Sequence, residues 1–350
     1  MKNLWFDLID CLEAGEVVVT SKVIRHKGST PRGSGTWMIV RQNGDILGTI
    51  GGGVMEAEVL KTAVGLFDSK GPSISHINMT QTELSTTSMI CGGKVDVLLD
   101  YWEPNDHLRN WCRELRQCLE DRQPVWYVID LDLSDASACQ TGHYLVKAEG
   151  EVVSSKGEKH TLDDGLKKQL LKSEKPSLLS VEGRDIWVEP MQLSTRLFLF
   201  GAGHVGRATA VVGFQVGFET TVFDDRPDLL SRDFFPETIE LNPIVDFATC
   251  MQPLDIDDNS YLVIVSRGHM HDRNILAQAL RTNAVYIGMI GSRKKRDTIY
   301  KNLLESGFDE ADLKRVHSPI GLDIGADTPE EIAVSIVAEM IQVRAQKALS

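Results

Sequence analysis

No two cysteines in this chain are spaced as C-x-x-C, although six are present: Cys11, Cys91, Cys112, Cys118, Cys139 and Cys250. That argues against a structural zinc site or a disulfide scaffold, and it suits a reducing, cytoplasmic compartment. No stretch approaches the roughly 18 apolar residues that span a bilayer. Positive charge is also short: 37 Lys and Arg stand against 50 Asp and Glu, a net charge of −13. A chain of that sign is not expected to bind nucleic acid in general or to adhere to an anionic membrane. Internal repeats and low-complexity tracts are missing. The opening stretch, MKNLWFDLIDCLEAGEVVV, carries acids among its apolar residues and lacks a small-residue cleavage site. It reads as an amphipathic first helix, not a signal peptide.

What is present is centred on RLFLFGAGHVGRATAVVGFQVGFETTVFDD, residues 196–225. A run of leucine and phenylalanine at 197–200 predicts a buried strand. Gly201-Ala-Gly203-His204-Val-Gly206 follows, then a helix, then a second strand at 220–223 that ends on Asp224 and Asp225. The acid lies 23 residues after the first glycine, which is the context that gives a G-x-G-x-x-G its meaning. Gly201 allows the tight turn, Gly203 the approach of a phosphate, and Gly206 close helix–strand packing. The helix N-terminus presents free N–H groups to an anion. Asp224 is placed to bind a ribose hydroxyl pair, and Arg226 leaves a 2′-phosphate conceivable. Further strands at 261–265 and 285–287 alternate with helical segments, so a Rossmann-like, doubly wound parallel sheet is expected from residue 195 to 350. Thr328, Pro329 and Glu331 read as the N-cap, first position and capping box of a last helix.

Residues 1–194 read as a mixed α/β domain with strands in excess. Strands are expected at 17–25, 36–40, 46–50, 75–80 and 94–101. Asn43-Gly44 marks a hairpin turn, and a helix covers 54–67. Signals weaken over 106–194: a helix at 108–119, strands at 125–131 and 142–146, and a lysine- and acid-rich, solvated stretch at 149–175. Residues 183–190 look like a closing strand that returns to the first domain.

Three glycine loops in this half suit phosphate or carboxylate oxygens. They are Gly28-Ser29-Thr30-Pro31-Arg32-Gly33, Gly48-Thr49-Ile50-Gly51-Gly52-Gly53, and Cys91-Gly92-Gly93. Arg32 and Ser29 add a guanidinium and a hydroxyl. Tight turns that serve only the backbone are the plain alternative. Glu56, three residues after the last glycine, fits helix-dipole complementarity as well as catalysis. Cys91 sits beside two glycines and Lys94, a setting that lowers a thiol pKa and leaves the sulfur open. In the second half, Ser266-Arg267-Gly268-His269-Met-His271-Asp272 follows a strand. A metal at His269 and His271 competes there with helix capping by Asp272. Ser292-Arg293-Lys294-Lys295-Arg296 is a local basic cluster in an acidic chain, a sign of an anionic ligand.

Taken in order, these motifs resemble the XdhC/CoxI family of accessory proteins for xanthine dehydrogenase and related molybdenum hydroxylases. The segments 286–293 (YIGMIGSR) and 317–331 (HSPIGLDIGADTPEE) complete the match, while 106–194 carries no family motif. The resemblance implies a chaperone that binds molybdenum cofactor (molybdopterin) as cargo, assists its sulfuration, and hands it to an apo xanthine dehydrogenase-type hydroxylase. A cysteine desulfurase is the other implied partner, and a homodimer the expected oligomer. Cys91 is carried over as a candidate for sulfur or molybdenum contact. A non-enzymatic maturation factor is expected. The alternative is an NAD(P)-dependent oxidoreductase using the Gly201 loop.

Overall fold

The computed structural model describes residues 4–28, 30, 32–78, 93–132, 140–157, 164–173, 175–181, 183–191 and 194–347. The chain divides into two compact units between residues 193 and 194.

The first unit holds two five-stranded antiparallel sheets. Its elements begin with helix α1 (Leu4–Glu13), strands β1 (Val18–Lys27), β2 (Trp37–Arg41) and β3 (Ile46–Gly48), and helix α2 (Gly53–Ser69). Strands β4 (Ser73–Asn78) and β5 (Lys94–Trp102) complete a sheet of order β3-β2-β1-β5-β4. The Asn43-Gly44 turn joins β2 to β3 as expected. Gly44 takes φ 88° and the Asn43 carboxamide oxygen accepts from the Asp45 N–H at 3.0 Å. Helix α3 (Asp106–Glu120) leads into the second sheet: β6 (Val125–Asp132), β7 (Gln140–Lys147), β8 (Val152–Ser154), helix α4 (Asp164–Leu170), β9 (Ser177–Val181) and β10 (Arg184–Pro190), ordered β8-β7-β6-β10-β9.

The layering follows from which side chains are apolar on each face. Helix α3 starts on Asn105, whose side chain accepts from the Leu108 N–H. It buries Leu108, Trp111, Cys112, Leu115 and Cys118, one stripe at helical spacing. That stripe and Trp5, Leu8 and Leu12 of α1 pack with Ile39, Leu98, Tyr127, Leu145 and Trp187 from both sheets. On the other face of the first sheet, Val19, Val23, Val40 and Val97 meet Val59 and Ala63 of α2. On the other face of the second, Val128, Val146 and Val188 meet Leu170.

The closing strand β10 lies within the first unit, where it pairs with β6 and β9 in the second sheet. One expectation for this half is corrected. The stretch 149–175 is not simply solvated: it supplies β8 and α4, and Leu170 is fully buried. The weak segment is therefore a second layered sheet. Three of its strands fall where the sequence predicts them, at 125–131, 142–146 and 183–190, and the two it does not predict, β8 and β9, have only three and five residues.

The second unit is the doubly wound sheet. Strands β11 (Arg196–Phe200), β12 (Glu219–Asp224), β13 (Glu240–Pro243), β14 (Ser260–Ile264), β15 (Tyr286–Met289) and β16 (Val316–His317) are all parallel, in the order β13-β12-β11-β14-β15-β16. This is the Rossmann order, with its reversal between β11 and β14. Helices α5 (His204–Gln215) and α9 (Pro329–Lys347) cover one face, and α6 (His269–Ala279), α7 (Arg293–Glu305) and α8 (Glu310–Lys314) the other. Burial on both faces explains the unbroken apolar runs of β11 and β14. The sequence signals missed β13 and β16, which have four and two residues and little apolar character. The expected capping box is present: the Thr328 hydroxyl accepts from the Glu331 N–H at 3.2 Å, and the Glu331 carboxylate accepts from the Thr328 N–H at 3.1 Å. Among the described residues, no helix is long and apolar enough to cross a membrane.

Candidate functional site

Because the second unit's sheet is all parallel, the loops after β11, β12, β14 and β15 emerge on one edge. Ligands of such sheets gather there, at the reversal. The chain thus brings Gly201–Gly206, Asp224–Arg226, Arg267–Asp272 and Ser292–Arg296 to one side.

The glycine turn behaves as its spacing predicts. Gly201 has φ 124°, and a Cβ there would lie 2.4 Å from the Val265 carbonyl oxygen. A Cβ on Gly206 would lie 1.9 Å from the Gly201 carbonyl oxygen, so α5 sits directly on the turn. A Cβ at Gly203, the N-cap, would meet nothing within 4 Å, and no side chain caps the helix. His204 is exposed in the first turn. The first N–H groups of α5 are therefore left without a side-chain partner.

The acid after β12 is another matter. The Asp224 side chain is only 1% exposed. Its carboxylate accepts from the Ala202 N–H at 2.7 Å, the Arg226 N–H at 3.0 Å, and the Arg226 Nε and Nη2 at 2.8 and 2.9 Å. Burial alone raises its pKa, but the Arg226 guanidinium and the two backbone donors outweigh that and hold it below the usual carboxylate value. The expectation of Asp224 as a ribose ligand is therefore corrected. It ties β12 to the glycine turn and is shielded from a ligand. Arg226 is engaged with it, and Arg267 donates to Asp225 at 2.9 Å.

The loop after β14 is corrected as well. Asp272 does not cap α6; Gly268 is the N-cap, without a side-chain bond. Asp272 is fully buried, accepts from the Ser266 hydroxyl and pairs with Lys295. His269 is exposed and His271 half-buried, its ring 5.2 Å from that of Phe247. Among the described residues, no group of three His, Cys, Asp or Glu side chains is arranged to hold a metal. Ser292 caps α7 by accepting from the Lys295 N–H at 3.2 Å. The basic cluster splits. Lys295 faces Asp272, Arg296 bonds Asp297 and the Ser318 carbonyl, and Arg293 and Lys294 stand exposed.

In the first unit, Gly51, Gly52 and Gly53 take φ 132°, 74° and 67°, three successive left-handed residues that favour glycine. Their arc does hold an anion, but the anion is internal. The Glu56 carboxylate accepts from the Thr49 hydroxyl at 2.6 Å, the Gly52 N–H at 3.1 Å and the Ile50 N–H at 3.2 Å, while the Gly51 N–H donates to the Thr49 hydroxyl. An incoming phosphate would meet a carboxylate. The reading of this arc as an open phosphate cradle is corrected on that ground. Gly28 follows β1 with φ 82°, and Arg32 is exposed. Ser29, Cys91 and Gly92 lie outside the described residues. Cys11, Cys112, Cys118 and Cys250 are free and buried, and burial raises the Cys112 and Cys250 thiols to about 12, too high for a nucleophile at neutral pH.

Glu56 gives a pH-dependent test. Burial raises its pKa, but the Thr49 and backbone hydrogen bonds outweigh burial and lower it. A carboxylate lowered on folding contributes stability that is present above its unfolded pKa and lost as the pH falls through the folded one. Glu56→Gln is expected to cost about 1 kcal/mol at pH 7, discounted for partial exposure. In urea melts across pH, that gap should narrow as the pH falls below the unfolded carboxylate value of about 4.3. A gap that stays constant through the acid range rules out the carboxylate's charge as its cause.

A feature that sequence reading missed lies inside the first unit. Lys22, in the valine-rich β1, has a side chain 5% exposed and bonds Glu189 of β10. Its Nζ lies 4.9, 4.8 and 5.2 Å from the ring centroids of Trp5, Trp37 and Tyr127. Burial lowers its pKa, and Glu189 opposes that shift. A lysine set inside V-V-T-S-K-V-I was the available signal, since a charge in a doubly buried strand needs a partner.

Comparison with known proteins adds the following. Residues 197–340 match the family model of the XdhC Rossmann domain, and residues 11–78 that of the XdhC and CoxI family. A probable xanthine dehydrogenase subunit from Bacillus subtilis (strain 168) is 26% identical over 350 residues, all of both chains. The uncharacterized protein YqeB of Escherichia coli (strain K12) is 25% identical over 324 residues. These make up 93% of this chain, which spans only 43% of YqeB. The molybdenum cofactor insertion chaperone PaoD of the same organism is 19% identical over 336 residues, 96% of this chain and 86% of PaoD. A crystal structure of a xanthine dehydrogenase from Bacillus halodurans shares 25% identity and superposes with a TM-score of 0.80, covering 98% of this chain and 96% of that one.

Proposed function

We propose that this chain, which belongs to the XdhC and CoxI family, binds molybdenum cofactor as cargo and delivers it to a xanthine dehydrogenase-type molybdenum hydroxylase. The observation that carries the reading is the pair of family matches, one in each unit, together with the similarity to a molybdenum cofactor insertion chaperone along 96% of the chain. The sheet edge of the second unit supports it chemically. The cargo is a phosphorylated anion, and the uncapped start of α5 with the exposed Arg293 and Lys294 suits phosphate. The Gly51–Gly53 arc does not, since Glu56 fills it. Sulfuration, with a cysteine desulfurase as donor, is part of the proposal. So is Cys91 as the thiolate that contacts molybdenum or passes sulfur. A cytoplasmic homodimer is the form proposed. Nothing favours the NAD(P)-dependent oxidoreductase, whose ribose acid, Asp224, is bonded internally.

Protein made in cells that synthesise the cofactor and purified without oxygen is expected to carry molybdenum and pterin. Cys91→Ala is expected to lower activation of the target hydroxylase at least tenfold, on the order of 1.4 kcal/mol. Protein free of both, with tight NAD(P)H binding and dehydrogenase activity, would overturn the reading. Full activation by Cys91→Ala would remove Cys91 from it.

A further inference from the structure

The first unit contains a cavity of about 320 Å³. It lies where the end of β5 meets the starts of β7 and α3 and the residues before β4, and its lining is graded. Deep in it are Asp100, Trp102 and His143, all buried; at its mouth are the exposed Lys70 and Lys156. Asp100 Oδ1 accepts from the Thr141 hydroxyl at 2.8 Å and faces His143 Nε2 at 3.5 Å. Among the described residues no hydrogen bond reaches Oδ2. His143 is itself fixed: its Nδ1 lies 2.7 Å from the Tyr127 hydroxyl. Burial keeps that phenol protonated, and the Asp100 carboxylate, which can only accept, faces Nε2. The proton of the imidazole therefore sits on Nε2, toward Asp100, and the histidine has no nitrogen left for a ligand. The cavity floor thus offers an acceptor, a carboxylate with a free oxygen, beside the rings of Trp102 and Tyr101. Its mouth offers two cations: among the described residues Lys156 donates only to the Thr141 carbonyl, at 3.0 Å, while Lys70 is paired with the exposed Glu103 at 3.3 Å, a pair a phosphate would compete with.

We propose that this cavity binds a flat heterocycle with a donor edge, a ring N–H beside an amino group, that carries a phosphate. The donor edge reaches Asp100 and the phosphate reaches Lys156 and Lys70. Such an edge belongs to guanine and to pterins alike. The volume admits one bicyclic ring with its phosphate outside, at the small end of ligand pockets, and aromatic walls favour flat rings. The pterin source rests on the cargo reading above; the guanine source does not.

Calorimetry with guanosine, inosine and adenosine 5′-monophosphates and with a monophosphorylated neopterin tests it. GMP, the pterin or both should bind, with IMP, which lacks the amino group, at least about tenfold weaker than GMP, and AMP weaker still. Asp100→Asn should abolish the preference for GMP over IMP. Lys156→Met should weaken GMP but leave guanosine unchanged. Asp100 is buried, so a space-filling variant guards against misfolding. A Cβ on Gly71, in the lining, meets nothing within 4 Å and its φ is not left-handed. Gly71→Leu should therefore keep the melting temperature and lose binding. Binding by the pterin alone assigns the pterin source, and binding by GMP assigns guanine. No binding of either, equal affinity for GMP and AMP, or binding that survives Gly71→Leu overturns the proposal. Molybdenum content of the same preparations reports on the cargo reading separately.

Discussion

Replacing Lys22 by methionine is expected to destabilise the first unit by about 3–5 kcal/mol. The loss is larger than a missing contact because of what is left behind. Glu189 would remain in the core with its side chain about one-tenth exposed and its cation gone. The Trp187 indole N–H, 3.3 Å from the same Glu189 oxygen, compensates only part of a buried charge. The aromatic cage of Trp5, Trp37 and Tyr127 would close on a methionine without strain, since thioethers pack well against rings. The double variant Lys22→Met, Glu189→Leu should therefore recover most of the loss, because both charges leave together. Equilibrium denaturation of the three proteins decides this. If the double variant is as unstable as the single one, the pair is held by packing and not by compensation of charge.

The second large effect is at Gly206. Alanine there would press a methyl group against the Gly201 carbonyl oxygen at 1.9 Å. Neither side can yield cheaply. Gly201 is pinned by its own N–H to the Phe223 carbonyl at 2.8 Å, and it has no room toward Val265. We expect Gly206→Ala to cost more than about 3 kcal/mol, at the upper end for overpacked sites. Gly203→Ala, three residues earlier on the same turn, should cost only a few tenths of a kcal/mol, since its surroundings are open and its φ of −70° suits any residue. Gly203→Ala should instead weaken cofactor retention, by placing a methyl group over the open N–H groups of α5. Thermal melts and cofactor content separate the two. Equal melting temperatures for both variants would mean that α5 does not rest on the turn as described.

The two glycine loops show how far such a motif can be read. At 201–206 the spacing states the geometry, because each glycine answers a local demand: a left-handed turn, an open approach, a close contact. At 51–53 the spacing is equally suggestive and the left-handed backbone is as expected, yet the acceptor is Glu56, whose place in the chain suggests a helix-dipole partner just as well. What a loop's N–H groups bond to is a question of side-chain placement, and chain order does not answer it. The same holds for Asp224, whose position after β12 was legible and whose partners were not. Long-range pairs are the extreme case. Lys22 and Glu189 stand 167 residues apart, and only the suspicion raised by a lysine among valines points toward a partner. In the second sheet of the first unit β6, β7 and β10 were legible, while β8 and β9 were too short, at three and five residues, to leave a pattern; the doubly buried β11 and β14 announce themselves.

The parallel sheet ends on one side in the four residues of β13, the last of them Pro243, and on the other in the two residues of β16. A strand from a neighbouring molecule would find few unpaired backbone groups at either margin, and the proline removes a donor from one of them. Self-association by lengthening this sheet is thus blocked at both ends, which leaves helix faces and loops as the surfaces through which the unit can meet other proteins.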